Sequence, residues 1–169
     1  AKALQLGIIP KNDVKNPEQP FAKTLASDVA SLVKTFGTGN PPSEADMAII
    51  KRLDIKNIGI NDGRRITRLL SLMEIFGYKI PHEIWYGLLK HKNRFDGEVP
   101  PAFLIDMLNK AVAENRKAEI ILLSSLLANG NDSDKMSDLV LIPVVNALKT
   151  SGLAKEARDI AYKAVANYQ

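Results

Sequence analysis

The last thirty residues of the chain constrain its fold most strongly, because their apolar residues recur with the period of an α-helix on both sides of one glycine. Ahead of Gly152 the series consists of Leu141, Val144, Val145 and Leu148, and after it of Ala157, Ile160, Ala161, Ala164 and Val165. This spacing is typical of two amphipathic helices. Glycine ends a helix in the left-handed conformation without a Cβ clash, so Gly152 predicts the turn between them. The segment is therefore predicted to be an antiparallel helical hairpin.

Residues suited to the same kind of turn recur along the chain. Gly37, Gly77, Asn115 and Gly152 are spaced 40, 38 and 37 residues apart, and asparagine is the other residue that tolerates a left-handed turn. A period near 37 is typical of stacked helix pairs of the tetratricopeptide or HEAT kind, although the tetratricopeptide consensus is missing. The spacing predicts positive φ at Gly77, Asn115 and Gly152. An irregular bundle whose hairpin lengths coincide remains the alternative.

The whole chain is predicted to be all-α, with about eight helices as stacked antiparallel hairpins (α-solenoid-like or an irregular orthogonal bundle) and no substantial sheet. Residues 1–20, with three prolines, predict an extended arm, and residues 21–169 a single helical domain. A helix is predicted from Phe21 to Gly37. Ser43 has the position of an N-cap and Asn61 or Asp62 that of another. Residues 116–128 are apolar nearly all round and are predicted to form the most buried helix.

Composition limits the classes of function and says little about location. The 169 residues carry a net charge of +4, 46% are hydrophobic, and there is no cysteine, which excludes disulfides and thiolate ligands or nucleophiles. No apolar run reaches the roughly 18 residues that a membrane span needs, and no signal peptide is visible. The chain opens at Ala1, so the sequence leaves open whether a leader or further domains were removed before it. Cytoplasmic and exported (periplasmic) locations are both compatible with the sequence.

Motifs that would indicate an enzyme or a metal site are incomplete. His82-Glu83 begins like a zinc-protease helix, but Tyr86 stands where the second histidine is required. The loop of residues 129–140 is rich in oxygen ligands, yet its sixth position is Asp134 and its twelfth Val140, where a calcium loop needs Gly and Glu. No phosphate-binding glycine loop occurs. We therefore expect no catalytic residues, no cofactor and no metal, and we expect that the protein is not an enzyme.

One region stands out by charge. Residues 51–94 hold ten Lys/Arg against four acids, whereas residues 101–169 are neutral. Basic side chains interleaved with aromatic rings can bind phosphates and stack bases, although helix surfaces are ordinarily charged as well. The residues predicted to form a binding face, called here the basic–aromatic set, are Arg64, Arg65, Arg68, Tyr78, Trp85, Tyr86 and Lys90.

From Pro100 onward the chain resembles alphaproteobacterial proteins of no known activity that end in helical hairpins of tetratricopeptide-like or HEAT-like type. The two stretches that carry the resemblance are Ala113-Glu-Asn-Arg-Lys-Ala-Glu119 and Ala147-Leu-Lys-Thr-Ser-Gly-Leu-Ala-Lys-Glu-Ala-Arg158. They cover less than half of the chain. The resemblance implies a bacterial origin and no particular activity.

These features lead to the hypothesis of a non-enzymatic protein–protein interaction or scaffold module that binds a protein or peptide through the basic–aromatic set. The alternative is binding of nucleic acid or another polyanion through the basic region 51–94. A third hypothesis is a structural role, with the apolar arm residues Leu4–Ile9 mediating self-association. Fold-level analogy alone supports the first hypothesis. The oligomeric state is not indicated by the sequence.

Overall fold

Eight α-helices make up the part of the chain that the structure, a computed structural model, describes: residues 18–53, 55, 58, 60–89 and 99–166. No strand occurs in these ranges, which confirms the all-α prediction. The predicted arm lies outside them, except for residues 18–20. The helices are α1 (Glu18–Thr38), α2 (Glu44–Arg52), α3 (Ile60–Ile75), α4 (His82–Leu89), α5 (Ala102–Ala113), α6 (Lys117–Ala128), α7 (Asp138–Thr150) and α8 (Ala154–Ala166).

The helix starts follow local capping chemistry. Ser43 caps α2 as predicted: its Oγ accepts from the backbone N–H of Asp46 at 3.1 Å, and the Asp46 carboxylate accepts from the Ser43 N–H at 3.0 Å. Helix α3 begins at Ile60, so Asn61 and Asp62 lie in its first turn and do not precede it. Asp62 there interacts favourably with the helix dipole. Helix α1 begins at Glu18, which places Pro20 in the first turn, where its missing N–H costs nothing.

Three helices end in the same turn, and all three were predicted. Gly77, Asn115 and Gly152 have φ values of 95°, 52° and 85°. In each case the residue after the turn donates its N–H to the carbonyl five residues back; for example, the N–H of Leu153 lies 2.9 Å from the carbonyl of Leu148. This is the Schellman arrangement, which satisfies carbonyls that the helix end leaves free.

The first turn of the predicted series is at Gly39, and the prediction of Gly37 was wrong. Gly37 is helical, whereas Gly39 has φ 75° and its N–H donates to Phe36. A Cβ on Gly37 would lie 2.5 Å from the ring of Tyr162 in α8. Gly37 therefore serves close helix packing, which local sequence does not reveal. With Gly39 the turns are 38, 38 and 37 residues apart.

The helices close into a bundle around α7. Helix α7 packs against α3, α5, α6 and α8, and α1 packs against α8 as well as α2 and α3. In an open stack of repeats each pair touches its sequence neighbours alone, so the contact of the first helix with the last is that of the irregular bundle. The fully buried core includes Leu32, Phe36, Leu70, Met73, Leu108, Ile120 and Leu141.

Helix α6 is not the most buried helix, which corrects the prediction for residues 116–128. Ile121, Leu122 and Leu126 are each about half exposed. The extended contacts of α6 within the described chain are with α5 and α7, so much of its circumference has no neighbour. An apolar residue on every face does not imply a neighbour on every face. None of the helices described is both long and apolar enough to cross a membrane.

Candidate interaction surfaces

Arg68 of the basic–aromatic set lies inside the protein, where it fastens α3 to the loop ahead of α7. Its side chain is 9% exposed, and its Nε donates to the Asp138 carboxylate at 2.5 Å. The terminal nitrogens donate to the backbone carbonyls of Asp134 at 3.2 Å and Met136 at 2.8 Å. A planar guanidinium suits this fork of acceptors. A partner could not reach Arg68 without opening these bonds.

Tyr78 is also a core residue, with 2% of its surface exposed. Its phenol oxygen is buried and has no hydrogen-bond partner among the described residues. Burial raises the pKa of Tyr78, and the nearby Asp46 carboxylate raises it further, against an opposing effect of Arg158. The residue is therefore neutral at physiological pH and is not presented to a partner.

The other described members of the set lie on two helices, α3 and α4. Arg64 and Arg65 are half-buried on α3, and Arg65 lines a groove of about 430 Å³ between α1, α3 and α8. On α4, Trp85 is half-buried and packs against the core, whereas Tyr86 is exposed. Lys90 lies outside the described residues. The structure thus does not bring the described members together on one exposed face, and a binding role for them stays a prediction.

A second basic residue with a structural role is Arg158 of α8. Its guanidinium carbon lies 4.4 Å from the ring centre of Phe76 and 5.5 Å from that of Phe36, and Nη1 donates to the Phe36 carbonyl at 3.1 Å. The two rings meet edge to face with centres 5.5 Å apart. Cation–π contacts of this kind hold α8 against the ends of α1 and α3.

A mainly apolar depression lies between α6, α7 and α8. It has a volume of about 390 Å³, and we call it the C-terminal groove. Its lining is formed by Ile121, Ser124, Ser125, Ala128, Met136, Val144, Leu148, Leu153, Glu156 and Ile160. Aliphatic and methionine side chains dominate this set, and Glu156 is the charged residue in it. Such a surface can bind an apolar ligand or an apolar chain segment, and Glu156 can pair with one cation on it.

Three polar residues, Ser124, Ser125 and Glu156, also line the C-terminal groove. Ser124 is 7% exposed, and its Oγ has no hydrogen-bond partner among the described residues. Glu156, in the first turn of α8, is exposed at the edge. The groove therefore combines an apolar surface with one buried hydroxyl and one carboxylate. Sequence reasoning missed it, although the excess of apolar residues around α6 was a usable signal.

Among the described residues, no three His, Asp or Glu side chains lie close enough together to hold a metal ion. The groove between α3, α5 and α7 is lined by Ser71, Glu74, Ile75, Ile105, Asn109, Ile142, Pro143 and Asn146. It contains a single carboxylate and no neighbouring base. This arrangement offers no pair of groups for acid–base chemistry.

Comparisons with protein-family models, with curated proteins and with solved structures found no match to this chain. The resemblance to helical-hairpin proteins therefore stays a prediction.

Proposed function

We propose that this protein is a non-enzymatic helical interaction module that binds an amphipathic helical segment of another protein in the C-terminal groove. The segment would place apolar side chains against Ile121, Leu148 and Ile160. A lysine or arginine on its flank would pair with Glu156. The observation that carries the proposal is a groove lined mainly by aliphatic side chains, with a single charge, on three helices of the bundle.

The size of the groove suits a short helix. Ile121 and Ala128 at its two ends are seven residues apart on α6, which corresponds to about 10 Å at a rise of 1.5 Å per residue. Two turns of a bound helix fit this length. Helix-in-groove recognition uses apolar anchors at i, i+3 or i+4. We therefore expect the motif to consist of two such anchors and one basic residue.

Polyanion binding receives less support from the described residues than from the sequence. Arg68 donates to Asp138 and to backbone carbonyls, and Arg52 donates to Asp28 at 2.5 Å and 3.0 Å. The bonds with Asp28 also raise the pKa of Arg52. Cations that already pair with acids contribute less to phosphate binding than free ones. A lysine on a bound helix fits Glu156, whereas a phosphate does not.

The test is a selection from a displayed library of random helical peptides against the full chain. We expect the selected peptides to share two apolar residues at i, i+3 or i+4 and a nearby lysine or arginine. Their binding to Ile121→Glu should weaken at least about tenfold, a loss of roughly 1.4 kcal/mol, because the new carboxylate would lie in the apolar groove. Glu156→Lys should weaken the peptides that carry the basic residue and spare those that lack it.

Leu122→Glu is the matched control, because this side chain is next along α6 but does not line the groove. It should bind the selected peptides like the natural chain. The proposal fails if the peptides bind Ile121→Glu undiminished. A single-stranded oligonucleotide provides the competing outcome: binding that falls steeply with salt and ignores Ile121→Glu would support the polyanion hypothesis instead.

A further inference from the structure

A second apolar surface lies on the α5–α6 hairpin, away from the C-terminal groove. Phe103 and Met107 on α5 are 62% and 40% exposed, and Leu122 and Leu126 on α6 are 59% and 54% exposed. Phe103 and Met107 are four residues apart, as are Leu122 and Leu126, so each pair forms a stripe on its own helix. We call these four side chains the outer face of the hairpin.

The two stripes lie at matching heights. Helices α5 and α6 pack against each other and are joined through residues 114–116. In an antiparallel hairpin, residues equally distant from the turn lie side by side. Counted from Asn115, Met107 corresponds to Leu123 and Phe103 to Leu127, which places Leu122 and Leu126 beside them. The outer face is thus one continuous patch on two helices.

Rotation about the helix axis separates this patch from the core and from the groove. On α6, Ile120, Leu123 and Leu127 are buried, and Ile121, Ser124 and Ala128 line the C-terminal groove. At 100° per residue, Leu122 and Leu126 point to the remaining side. The outer face and the C-terminal groove are therefore two surfaces that can be altered independently.

The patch is large enough to form the centre of an interface. Its four side chains expose on the order of 400 Å² of apolar surface, which is the size of the largest patch on a typical monomeric protein, and such patches are often functional. A standard interface buries about 800 Å² on each partner, with an apolar centre and a polar rim. The outer face therefore corresponds to the central half of an interface of ordinary size.

The charges around the patch indicate what covers it. The charged residues next to the patch are of both signs, with Asp106 and Lys110 on α5 and Glu114, Arg116 and Glu119 at or just after the turn. Lys110 lies 2.7 Å from Asp106, and Arg116 pairs with Glu114 at 2.9 Å and with Glu119. A rim with an excess of one sign suits a partner of the opposite sign. An acid and a base four residues apart on one helix, such as Asp106 and Lys110, are complementary to the same pair in a copy rotated about a two-fold axis.

We propose that the outer face is a homodimer interface, in which two copies of the chain pack their α5–α6 hairpins across a two-fold axis. Homodimers with two-fold symmetry are the commonest oligomers, and each partner contributes the same patch. An axis perpendicular to the middle of α5 makes the two α5 helices antiparallel. Asp106 of one copy then faces Lys110 of the other, and Met107 and Leu122 are the apolar side chains nearest the axis.

The direct test is the mass of the full chain in solution by sedimentation equilibrium across the micromolar range. We expect a reversible rise from one chain mass to two. Leu122→Glu should raise the dissociation constant by more than about 100-fold, because a symmetric dimer would bury two new carboxylates, one from each copy. Ile121→Glu should dimerise like the natural chain. Helical circular dichroism should be unchanged in both variants, since both side chains are exposed.

A charge-exchange experiment tests the orientation of the two copies. Asp106→Lys gives a chain with two bases at the contact, and Lys110→Asp gives a chain with two acids. Each variant alone should dimerise at least about tenfold more weakly than the natural chain, whereas their equimolar mixture should form a heterodimer. A helix-stability effect alone would weaken the mixture as well.

Two results would overturn the proposal. One is a natural chain that keeps a single chain mass at every concentration, which would leave the outer face to another occupant, such as residues 1–17. The other is a dimer that Leu122→Glu does not weaken, which would place the interface elsewhere. Because the readout is mass and the control alters the C-terminal groove, failure here leaves the proposed peptide binding intact.

Discussion

Replacement of Arg68 should cost the protein a large share of its stability. Its guanidinium donates to the Asp138 carboxylate and to the carbonyls of Asp134 and Met136, and it does so across about seventy residues of sequence. Ser137 and Asp138 lie at the N-terminus of α7, the helix at the centre of the bundle. Arg68→Met keeps most of the apolar stem and removes the donors, so it measures the bonds and not the packing.

The magnitude follows from what the substitution leaves behind. The Asp138 carboxylate, whose side chain is 22% exposed, would lose its cation, and the buried carbonyl of Met136 would lose its donor. Removal of one partner of a buried ion pair costs about 3–5 kcal/mol. Because water still reaches Asp138, we expect the lower end, about 3 kcal/mol. For a chain of this length the melting temperature should fall by about 6–12 °C.

Urea denaturation followed by circular dichroism measures this loss, and a double-mutant cycle with Asp138→Asn isolates the pair. We expect a coupling energy above about 1 kcal/mol between the two substitutions. Lys149→Met, which removes an exposed base on α7, is the matched control and should stay within about 0.5 kcal/mol of the natural chain. A loss below about 1 kcal/mol for Arg68→Met, or strict additivity with Asp138→Asn, would refute the reasoning.

Three further substitutions test local features, each by urea denaturation. Tyr78→Phe removes a buried hydroxyl without a partner, so neutral-pH stability should stay equal or rise by up to about 1 kcal/mol. Because burial raises the pKa of Tyr78, the natural chain should lose stability as pH rises from about 10 towards that raised pKa, with no effect below; a variant with the same alkaline slope would contradict this. Gly152→Ala should cost about 1–2 kcal/mol at its φ of 85°, whereas Asn115→Gly should cost nothing; equal losses would count against a conformational cause. Ser43→Ala should cost about 1 kcal/mol through the lost cap of α2, and an unchanged midpoint would show that the cap is dispensable.

Features that depend on a few neighbouring residues were predictable from the sequence. The turns at Gly77, Asn115 and Gly152 use bonds that span six residues, and the cap at Ser43 spans four. Gly37 shows where this reasoning ends. The glycine does not end α1, because its lack of a side chain is required by Tyr162, about 125 residues later. Local pattern cannot distinguish a glycine needed for a turn from one needed for a close approach.

The candidate site was less predictable for the same physical reason. A count of charges finds Arg68 in a basic region, but whether the guanidinium faces solvent depends on Asp138 and two distant carbonyls. Periodicity finds Tyr78 next to a turn, and its burial depends on distant segments, which place Asp46 of α2 and Arg158 of α8 near it. Aromatic and basic side chains have both apolar and polar parts, so each can occur in a core or at a surface. The proposed surfaces are therefore apolar faces that have no neighbour among the described helices.

Helix α6 has apolar residues on every side, and a comparison of two of them distinguishes a leucine in the core from a leucine on the surface. Leu122 and Leu123 are adjacent and chemically identical, so the sequence predicts similar losses on truncation to alanine. In the structure Leu123 is 3% exposed and Leu122 is 59% exposed. Leu123→Ala should therefore cost about 2–5 kcal/mol through the cavity it leaves, and Leu122→Ala less than about 0.5 kcal/mol.

The measurement has to be made at a concentration where sedimentation shows a single chain mass, since dimerisation would otherwise stabilise the natural chain by mass action. Under those conditions a large loss for Leu122→Ala would mean that α6 has a neighbour on its outer face within the same chain. At higher concentration the cost of Leu122→Ala should grow while that of Leu123→Ala stays constant. That dependence would connect the exposed stripe of α6 to self-association, because the bundle itself does not change with concentration.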